Sequence, residues 1–146
     1  MNFNPDFKEF VRLLTENKVE YLIVGGYAVG IHGYPRYTGD LDIWINNTSK
    51  NSARVLKCVE DFGFSSYNLS VSDFTKKGNI IQLGYPPVRI DIINQVDGVS
   101  FEECFANKKD MLLEDLTLYF IGYDDLLKNK KTTSRPRDID DIENLT

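Results

Sequence analysis

The feature that most constrains the fold of this chain is a pair of aspartates, Asp40 and Asp42, inside an otherwise apolar run at 39–45. Successive side chains of a strand point to opposite faces, so the two aspartates share one face. The opposite face carries Leu41, Ile43 and Ile45. Neighbouring carboxylates repel each other and resist desolvation unless a cation neutralises them. The run therefore predicts a strand whose polar face binds a divalent metal.

Length and charge restrict the class of protein. With 146 residues, 42% of them hydrophobic, the chain is long enough for one domain, 1–146, with its own core. Its net charge of -5 argues against a protein that coats nucleic acid without specificity, because such binding neutralises phosphates with Lys and Arg. Cys58 and Cys104 lie far apart and lack a zinc-ligand pattern, which predicts reduced, structural thiols.

The start of the chain has no basic segment followed by an apolar one, and no stretch reaches the length needed to cross a membrane. We therefore expect no membrane partner and a cytoplasmic location. Asn4, Pro5 and Asp6 are typical of a helix start, and an apolar stripe predicts a helix that ends near Asn17. A strand at 21–24 then runs into Gly25 and Gly26, and residues 27–32 form a short helix.

The remaining pattern alternates helices and strands. After capping residues at 46–49, a helix carrying Ala53, Leu56, Val59 and Phe62 is expected to end at Gly63. Runs at 80–83 and 88–93 suit an antiparallel pair, and 116–121 is a fifth strand. A helix from Asp124, a polar break at 132–136 and a last helix through Ile139, Ile142 and Leu145 complete the chain. The fold class is α+β, with a mixed, mainly antiparallel sheet of about five strands flanked by helices.

A third acid, Asp91, lies in the apolar run at 88–93. Three carboxylates on neighbouring strands would form an oxygen-rich site suited to Mg²⁺, with Mn²⁺ as a substitute. Such sites serve phosphoryl or nucleotidyl transfer, in which two metals about 4 Å apart activate the attacking oxygen and stabilise the leaving group. The alternative for Asp91 is an ion pair with Arg89 or Arg36.

The Gly25-Gly26 pair follows a strand and opens a short helix, where backbone N–H groups can face a phosphate without obstruction by side chains. By itself such a pair is more often a tight turn. His32, the single histidine, is expected to have a structural role.

Two segments now support a family resemblance. The Gly25-Gly26-x-Ala28 start and the run Arg36-x-Thr38-x-Asp40-Leu41-Asp42 resemble the motifs of the DNA polymerase β-like nucleotidyltransferase superfamily. They look most like its small prokaryotic branch, which includes the AbiEii and MenT type toxins. The resemblance is close over 21–45, and it extends loosely to Lys128 and to the segment 135–141. It implies the polymerase β-like nucleotidyltransferase fold.

The resemblance also implies roles for residues. Gly25 and Gly26 would contact the triphosphate of an NTP substrate. The metal ligands would be Asp40, Asp42 and Asp91, and Asp91 would also help to activate the acceptor. Many active relatives have Ser in place of Gly26, so backbone amides alone would hold the phosphate here.

Three further residues are candidates for nucleotide binding. Arg36 and Thr38 lead into the acid strand, where they either contact phosphate or stabilise the loop. Lys128 matches the branch pattern and is a candidate ligand of the triphosphate. The alternative, without a functional role, is that the basic run to which it belongs is a solvated helix face. That run consists of Lys128, Lys130, Lys131, Arg135 and Arg137.

The sequence thus predicts an enzyme, an Mg²⁺-dependent nucleotidyltransferase that moves an NMP group from an NTP to an acceptor and releases pyrophosphate. An RNA end, a protein side chain and a small molecule all remain open as the acceptor. The alternative is a non-catalytic module of the same fold that binds a nucleotide or a protein partner, for example in a toxin–antitoxin pair or a homodimer. A metal-dependent nuclease would also use clustered acids but leaves the Gly-Gly turn unexplained.

Overall fold

The computed structural model describes residues 3–146. The first helix, α1 (Pro5–Glu16), begins as the sequence predicts, because the Asn4 side chain accepts a hydrogen bond from the Asp6 amide at 2.8 Å. Its apolar stripe is buried. The stripe consists of Phe7, Phe10, Val11 and Leu14.

Six strands form a single mixed sheet. They are β1 (Tyr21–Val24), β2 (Asp40–Ile45), β3 (Ile80–Tyr85), β4 (Val88–Ile93), β5 (Lys109–Leu113) and β6 (Leu116–Phe120). Their order across the sheet is β3-β4-β2-β1-β6-β5. The mixed α+β fold is confirmed, but the expected count of about five strands omitted β5. That strand pairs with β6 alone and leaves Leu112 71% exposed, so it lacks the buried alternation that marks a strand in sequence.

The strand pairings put the acids in the middle of the sheet. The central strand β2 is antiparallel to β1 and parallel to β4. The predicted antiparallel pair of β3 and β4 is present, with Ile80 opposite Ile93. Strands β1 and β6 are parallel, and β5 and β6 are antiparallel.

Six more α-helices surround the sheet. They are α2 (Gly25–Ile31), α3 (Ser49–Val59), α4 (Val71–Thr75), α5 (Phe101–Ala106), α6 (Tyr123–Thr133) and α7 (Pro136–Leu145). Helices α4 and α5, which were not predicted from the sequence, span five and six residues, about one and a half turns each. Helix α3 continues through a π-helical turn, Glu60–Phe64, in which Gly63 has φ 107°.

The buried faces of α3 and α7 differ from the apolar stripes seen in the sequence. In α3, Ala53 is exposed, while Asn51 is buried because its side chain bonds the carbonyls of Glu20 and Asn46. In α7, Asp138 and Asp141 are fully buried, and Ile139 is 48% exposed. Asn51, Asp138 and Asp141 are thus buried polar residues with hydrogen-bond or ionic partners.

The core packs against both faces of the sheet. The apolar side chains of α1 and α3 form one buried cluster with Leu41, Ile43 and Ile45 of β2. On the opposite face Trp44 packs edge-on against Phe101 of α5, with ring centroids 5.2 Å apart. Within residues 3–146 no helix has the length and hydropathy needed to span a bilayer.

Candidate active site

Three carboxylates meet at the centre of the sheet. Asp40 and Asp42 lie on β2, and the parallel pairing places Asp91 of β4 directly opposite Asp42. One ligand oxygen from each residue lies within 4.8 Å of the other two. Asp91 is buried, whereas Asp40 and Asp42 are partly exposed. The structure thus brings together the three acids that the sequence pattern grouped.

The pKa values of Asp40 and Asp42 show that the negative charge of this cluster is not fully compensated. Burial, together with the charges of Asp40 and Asp91, raises the pKa of Asp42 to about 7. Burial and the charge of Asp91 also raise the pKa of Asp40 above its usual value. Carboxylate oxygens clustered this closely are the donor set that a hard divalent cation such as Mg²⁺ prefers. The three residues therefore fit a divalent metal.

Arg89 supplies one positive charge beside the cluster. It donates two hydrogen bonds of 3.0 Å to the two carboxylate oxygens of Asp91. The ion pair that the sequence analysis offered as the alternative role of Asp91 is therefore present alongside the carboxylate cluster. Because Arg89 is partly exposed and holds both oxygens, it orients Asp91 within the site.

The Gly25-Gly26 turn contacts the acid strand directly. Gly25 has φ 68°, a left-handed conformation, and a Cβ atom there would collide with the Asp42 carboxylate. A Cβ at Gly26 would lie 2.6 Å from Thr38 Oγ1 and 2.8 Å from Thr38 Cγ2. The two glycines therefore let Asp42 and the loop before β2 approach the backbone of α2. The Thr38 hydroxyl donates to the Arg36 carbonyl at 3.3 Å.

A polar cavity of about 770 Å³ opens beside Asp42 and Gly25. Its lining includes basic and amide side chains from three parts of the chain. They are Asn79, Gln95, Asn129, Lys130 and Arg135. This cavity, which we call the acid cavity, combines two carboxylates, Asp42 and Asp97, with two cations and hydrogen-bond donors.

The structure does not bring Lys128 to the acid cavity. Lys128 is exposed, whereas Lys130 is 4% exposed and lines the cavity. On a helix Lys130 shares a face with Leu126, four residues earlier. Lys128 is two residues from each and points to the opposite side of the helix. The signal for Lys130 was present in the sequence, since it continues the buried face that Leu126 begins.

Arg36 and Lys130 both belong to a buried ionic cluster. Lys130 Nζ lies 3.2 Å from Asp138 and 3.0 Å from Asp141. The Arg36 guanidinium donates to both carboxylate oxygens of Asp141, at 3.1 and 3.2 Å. Arg135 pairs with Asp138 at 2.8 Å. These contacts tie α6 and α7 to the loop that leads into β2, so Arg36 stabilises that loop.

Asp138 is strongly held as a carboxylate. Burial alone would raise its pKa, but hydrogen bonds from Arg135, Thr133 and Lys130 outweigh that effect and hold the pKa well below its usual range. Asp138 and Asp141 are therefore buried counterparts of the basic residues Lys130, Arg135 and Arg36.

His32 and the two cysteines, which the sequence predicted to be structural, make packing and backbone contacts. His32 Nε2 bonds the Ile121 carbonyl at 2.7 Å, and its ring packs against Tyr123. Both cysteines are buried and free, and burial raises the pKa of each thiol to about 12. Thiols held in that protonated form are poor nucleophiles and metal ligands.

Comparison with known proteins adds to this geometry. A search of curated proteins finds no match to the chain. Among solved structures, the fold is similar to the crystal structure of the lincosamide antibiotic adenylyltransferase LnuA with lincomycin bound. The TM-score is 0.60 at 16% sequence identity, over 98% of this chain and 96% of that one. At this identity the likeness establishes a shared nucleotidyltransferase fold.

A match to a family model establishes the superfamily. The family model described as "Nucleotidyltransferase of unknown function (DUF6036)" matches residues 6–146. The resemblance to the nucleotidyltransferase superfamily is thereby confirmed, while the AbiEii and MenT type branch stays a prediction. With its acid cluster, glycine turn and fold in agreement with that match, the chain belongs to this nucleotidyltransferase family.

Proposed function

We propose that this protein is an Mg²⁺-dependent enzyme that transfers an NMP group from an NTP to an acceptor hydroxyl and releases pyrophosphate. The observation that carries the proposal is the convergence of three carboxylates within 4.8 Å beside the Gly25-Gly26 turn. Asp40, Asp42 and Asp91 would hold the divalent cation. When bound, that cation supplies neutralisation of the charge on the triphosphate and on the departing pyrophosphate.

The reaction forms one bond and breaks another. The acceptor oxygen bonds to the α-phosphorus, and the bond from that phosphorus to the bridging oxygen of pyrophosphate breaks, with the electron pair leaving on pyrophosphate. The hydroxyl proton passes to a carboxylate oxygen of Asp91, which Arg89 orients through its two hydrogen bonds. Positioning and charge stabilisation account for most of the rate in transfers of this kind.

The acid cavity is the site that we assign to the nucleotide. Its volume of about 770 Å³ suits one ligand of this size. Lys130 and Arg135, each also paired with Asp138, supply positive charge for phosphate oxygens, and Gly25 lies at its edge. Thr38, in the loop that leads into β2, stays a candidate phosphate contact, with Arg36 in a supporting role through Asp141. Lys128, which the family resemblance suggested, is exposed outside the acid cavity, and we assign its role to Lys130.

The test is a transfer assay with α-phosphate-labelled NTPs, Mg²⁺ and separate RNA, protein and small-molecule fractions as acceptors. Asp42→Asn should lower labelling at least ~100-fold, because it removes a carboxylate that the proposed site needs in its ionised form. Asp110→Asn, which makes the same change on the exposed edge strand β5, is the matched control and should label normally.

A second measurement separates transfer from binding. Calorimetric titration of the wild-type protein with ATP and Mg²⁺ should show binding that chelation of the metal abolishes. Labelling by Asp42→Asn at the wild-type rate would refute the proposed site. Metal-dependent binding with no transfer to any fraction would instead support the non-catalytic nucleotide-binding module.

A further inference from the structure

A second cavity lies on the other side of the glycine turn. It encloses about 820 Å³ between the start of α1, one face of α2 and the loop at 35–39. Its wall includes Gly26, the second glycine of the turn, and Gly39, the residue before Asp40. The two cavities therefore border the same turn, one at Gly25 and the other at Gly26.

The lining of this second cavity is mainly aromatic and aliphatic. Its apolar side chains include Phe3, Phe7, Tyr27, Ile31, Tyr37 and Met111. Tyr37 is 87% exposed, and its ring packs over Gly39, where a Cβ would lie 3.5 Å from the Tyr37 hydroxyl. An exposed aromatic ring at the rim of an apolar cavity offers a flat surface on which a ligand ring can stack.

Three polar side chains of the wall already have partners. Arg36 is engaged by Asp141, the Thr38 hydroxyl by the Arg36 carbonyl, and the Asn4 side chain by the Asp6 amide. Arg36 is the charged residue in the lining, and the carboxylate of Asp40 follows directly after Gly39. An anionic ligand would therefore meet unfavourable charge on the acid side and no free cation in the lining.

We propose that this cavity binds the acceptor, and that the acceptor is a small, uncharged molecule with one or two rings and a hydroxyl group. The inference rests on the proposed function, in which the acid cavity takes the NTP. A ring held between Tyr37 and the wall of α2 would direct its hydroxyl past Gly39 toward the acid cluster. That oxygen bonds to the α-phosphorus, its proton goes to Asp91, and pyrophosphate leaves. A volume of about 820 Å³ accommodates one such molecule.

Gly30 offers a way to close the cavity without touching the acids. It lines the cavity from α2, and a Cβ built there has one neighbour within 4 Å among the described residues, Pro35 Cα at 4.0 Å. A side chain at this position therefore has room to extend from the helix. Gly30→Phe should fill the cavity, Gly30→Leu is a smaller filling variant, and Gly30→Ala makes the same backbone change with little filling.

The experiment adds a panel of uncharged one- and two-ring alcohols and phenols to the isotope-labelled protein. Amide chemical shifts report where each one binds. Panel members should shift the amides of Gly26, Gly30 and Gly39. Their affinity should fall at least tenfold in Gly30→Phe or Gly30→Leu and stay within twofold in Gly30→Ala. Affinity for ATP with Mg²⁺ should stay within twofold in all three variants. Members that bind should accept label from α-labelled ATP in the wild type and not in the filled variants.

Each other outcome counts against the inference. Panel members that shift other amides, that bind the filled variants as well as the wild type, or that bind and are never labelled would overturn the acceptor site. Competition between ATP and the panel for the Gly30 side of α2 would show that the cavity takes the nucleotide. Loss of the proposed function is a separate result, since it appears as wild-type protein that fails to bind ATP with Mg²⁺.

Discussion

Gly26 packs against Thr38 more closely than any side chain at position 26 would allow. The Cβ of a substituted residue would meet Thr38 Oγ1 and Cγ2 at 2.6 and 2.8 Å. Many active relatives have Ser at this position. Here glycine leaves the space that the Thr38 side chain occupies. A short loop contact accounts for the departure from the family pattern.

Gly26→Ser should lower the free energy of unfolding by about 1–3 kcal/mol, because the added atoms overlap with Thr38 in a packed region. The double variant Gly26→Ser with Thr38→Ala should recover most of that loss, which urea titration of all four proteins measures. Gly30→Ser is the control, since position 30 has room. Additive losses in the double variant would contradict the overlap.

Asp42 makes the stability of the metal-free protein depend on pH. Its pKa of about 7 in the folded protein exceeds the usual value of 3.8, so the folded state holds a proton that the unfolded chain releases. That contribution to stability is full below pH 4 or so and is lost as pH rises through about 7. A bound cation would reverse the preference.

With a chelator present, Asp42→Asn should be more stable than the wild type at pH 8 by about 2–4 kcal/mol, because Asn cannot ionise. The difference should shrink toward zero near pH 4. Added Mg²⁺ should stabilise the wild type at pH 8 and leave Asp42→Asn unchanged. Denaturant titrations at both pH values measure this, and a difference that does not vary with pH would count against the assigned shift.

At the scale of elements, the buried ionic cluster decides where the last two helices lie. Lys130 of α6 contacts Asp138 and Asp141 of α7, and Asp141 in turn holds Arg36 before β2. Lys130, Asp138 and Asp141 are buried and depend on these partners for compensation of their charges. The same lysine lines the acid cavity, so the packing of α6 and α7 also positions a cation for the nucleotide.

Lys130→Met should therefore destabilise the fold by about 3–5 kcal/mol, since it leaves two buried carboxylates short of a partner. Lys128→Met, the same change on the exposed face of α6, should stay within about 0.5 kcal/mol of the wild type. Thermal unfolding measures both. Titration with ATP and Mg²⁺, at a temperature where both variants are folded, should show weaker binding in Lys130→Met. A larger loss of affinity in Lys128→Met would restore the role that the family resemblance implied for it.

At the scale of the whole molecule, both faces of the six-stranded sheet belong to one core. Trp44, the single tryptophan, is 2% exposed on the central strand β2 and packs against α5, while its neighbours Ile43 and Ile45 join the cluster with α1 and α3. We therefore propose that residues 1–146 fold as a single domain.

Unfolding in urea should then show one transition, with the Trp44 fluorescence midpoint equal to that of far-UV circular dichroism. Fluorescence follows the centre of the sheet, and dichroism follows all helices and strands. Two separated midpoints would show that part of the chain unfolds independently.

Local patterns in the sequence were sufficient for α1, for β1 to β4 and for the placement of Asp40 and Asp42 on one strand face. Each depends on spacing within a short run, such as the two-residue period that puts Asp40 and Asp42 on one face. The edge strand β5 and the short helices α4 and α5 were not predicted, because partly exposed segments of five or six residues carry little periodic signal.

The sequence by itself determined the superfamily and the pair of Asp40 and Asp42, because both depend on motifs whose residues are close together in the chain. The parallel pairing of β2 with β4 decided that Asp91, 49 residues after Asp42, joins that pair. Helical spacing from Leu126 puts Lys130 on the buried face of α6, but tertiary structure alone decided that this face borders the acid cavity and that Asp138 and Asp141 are buried. These placements depend on contacts between residues as far apart as Arg36 and Asp141. A charge is buried only where a distant partner compensates it, and no local pattern contains that information.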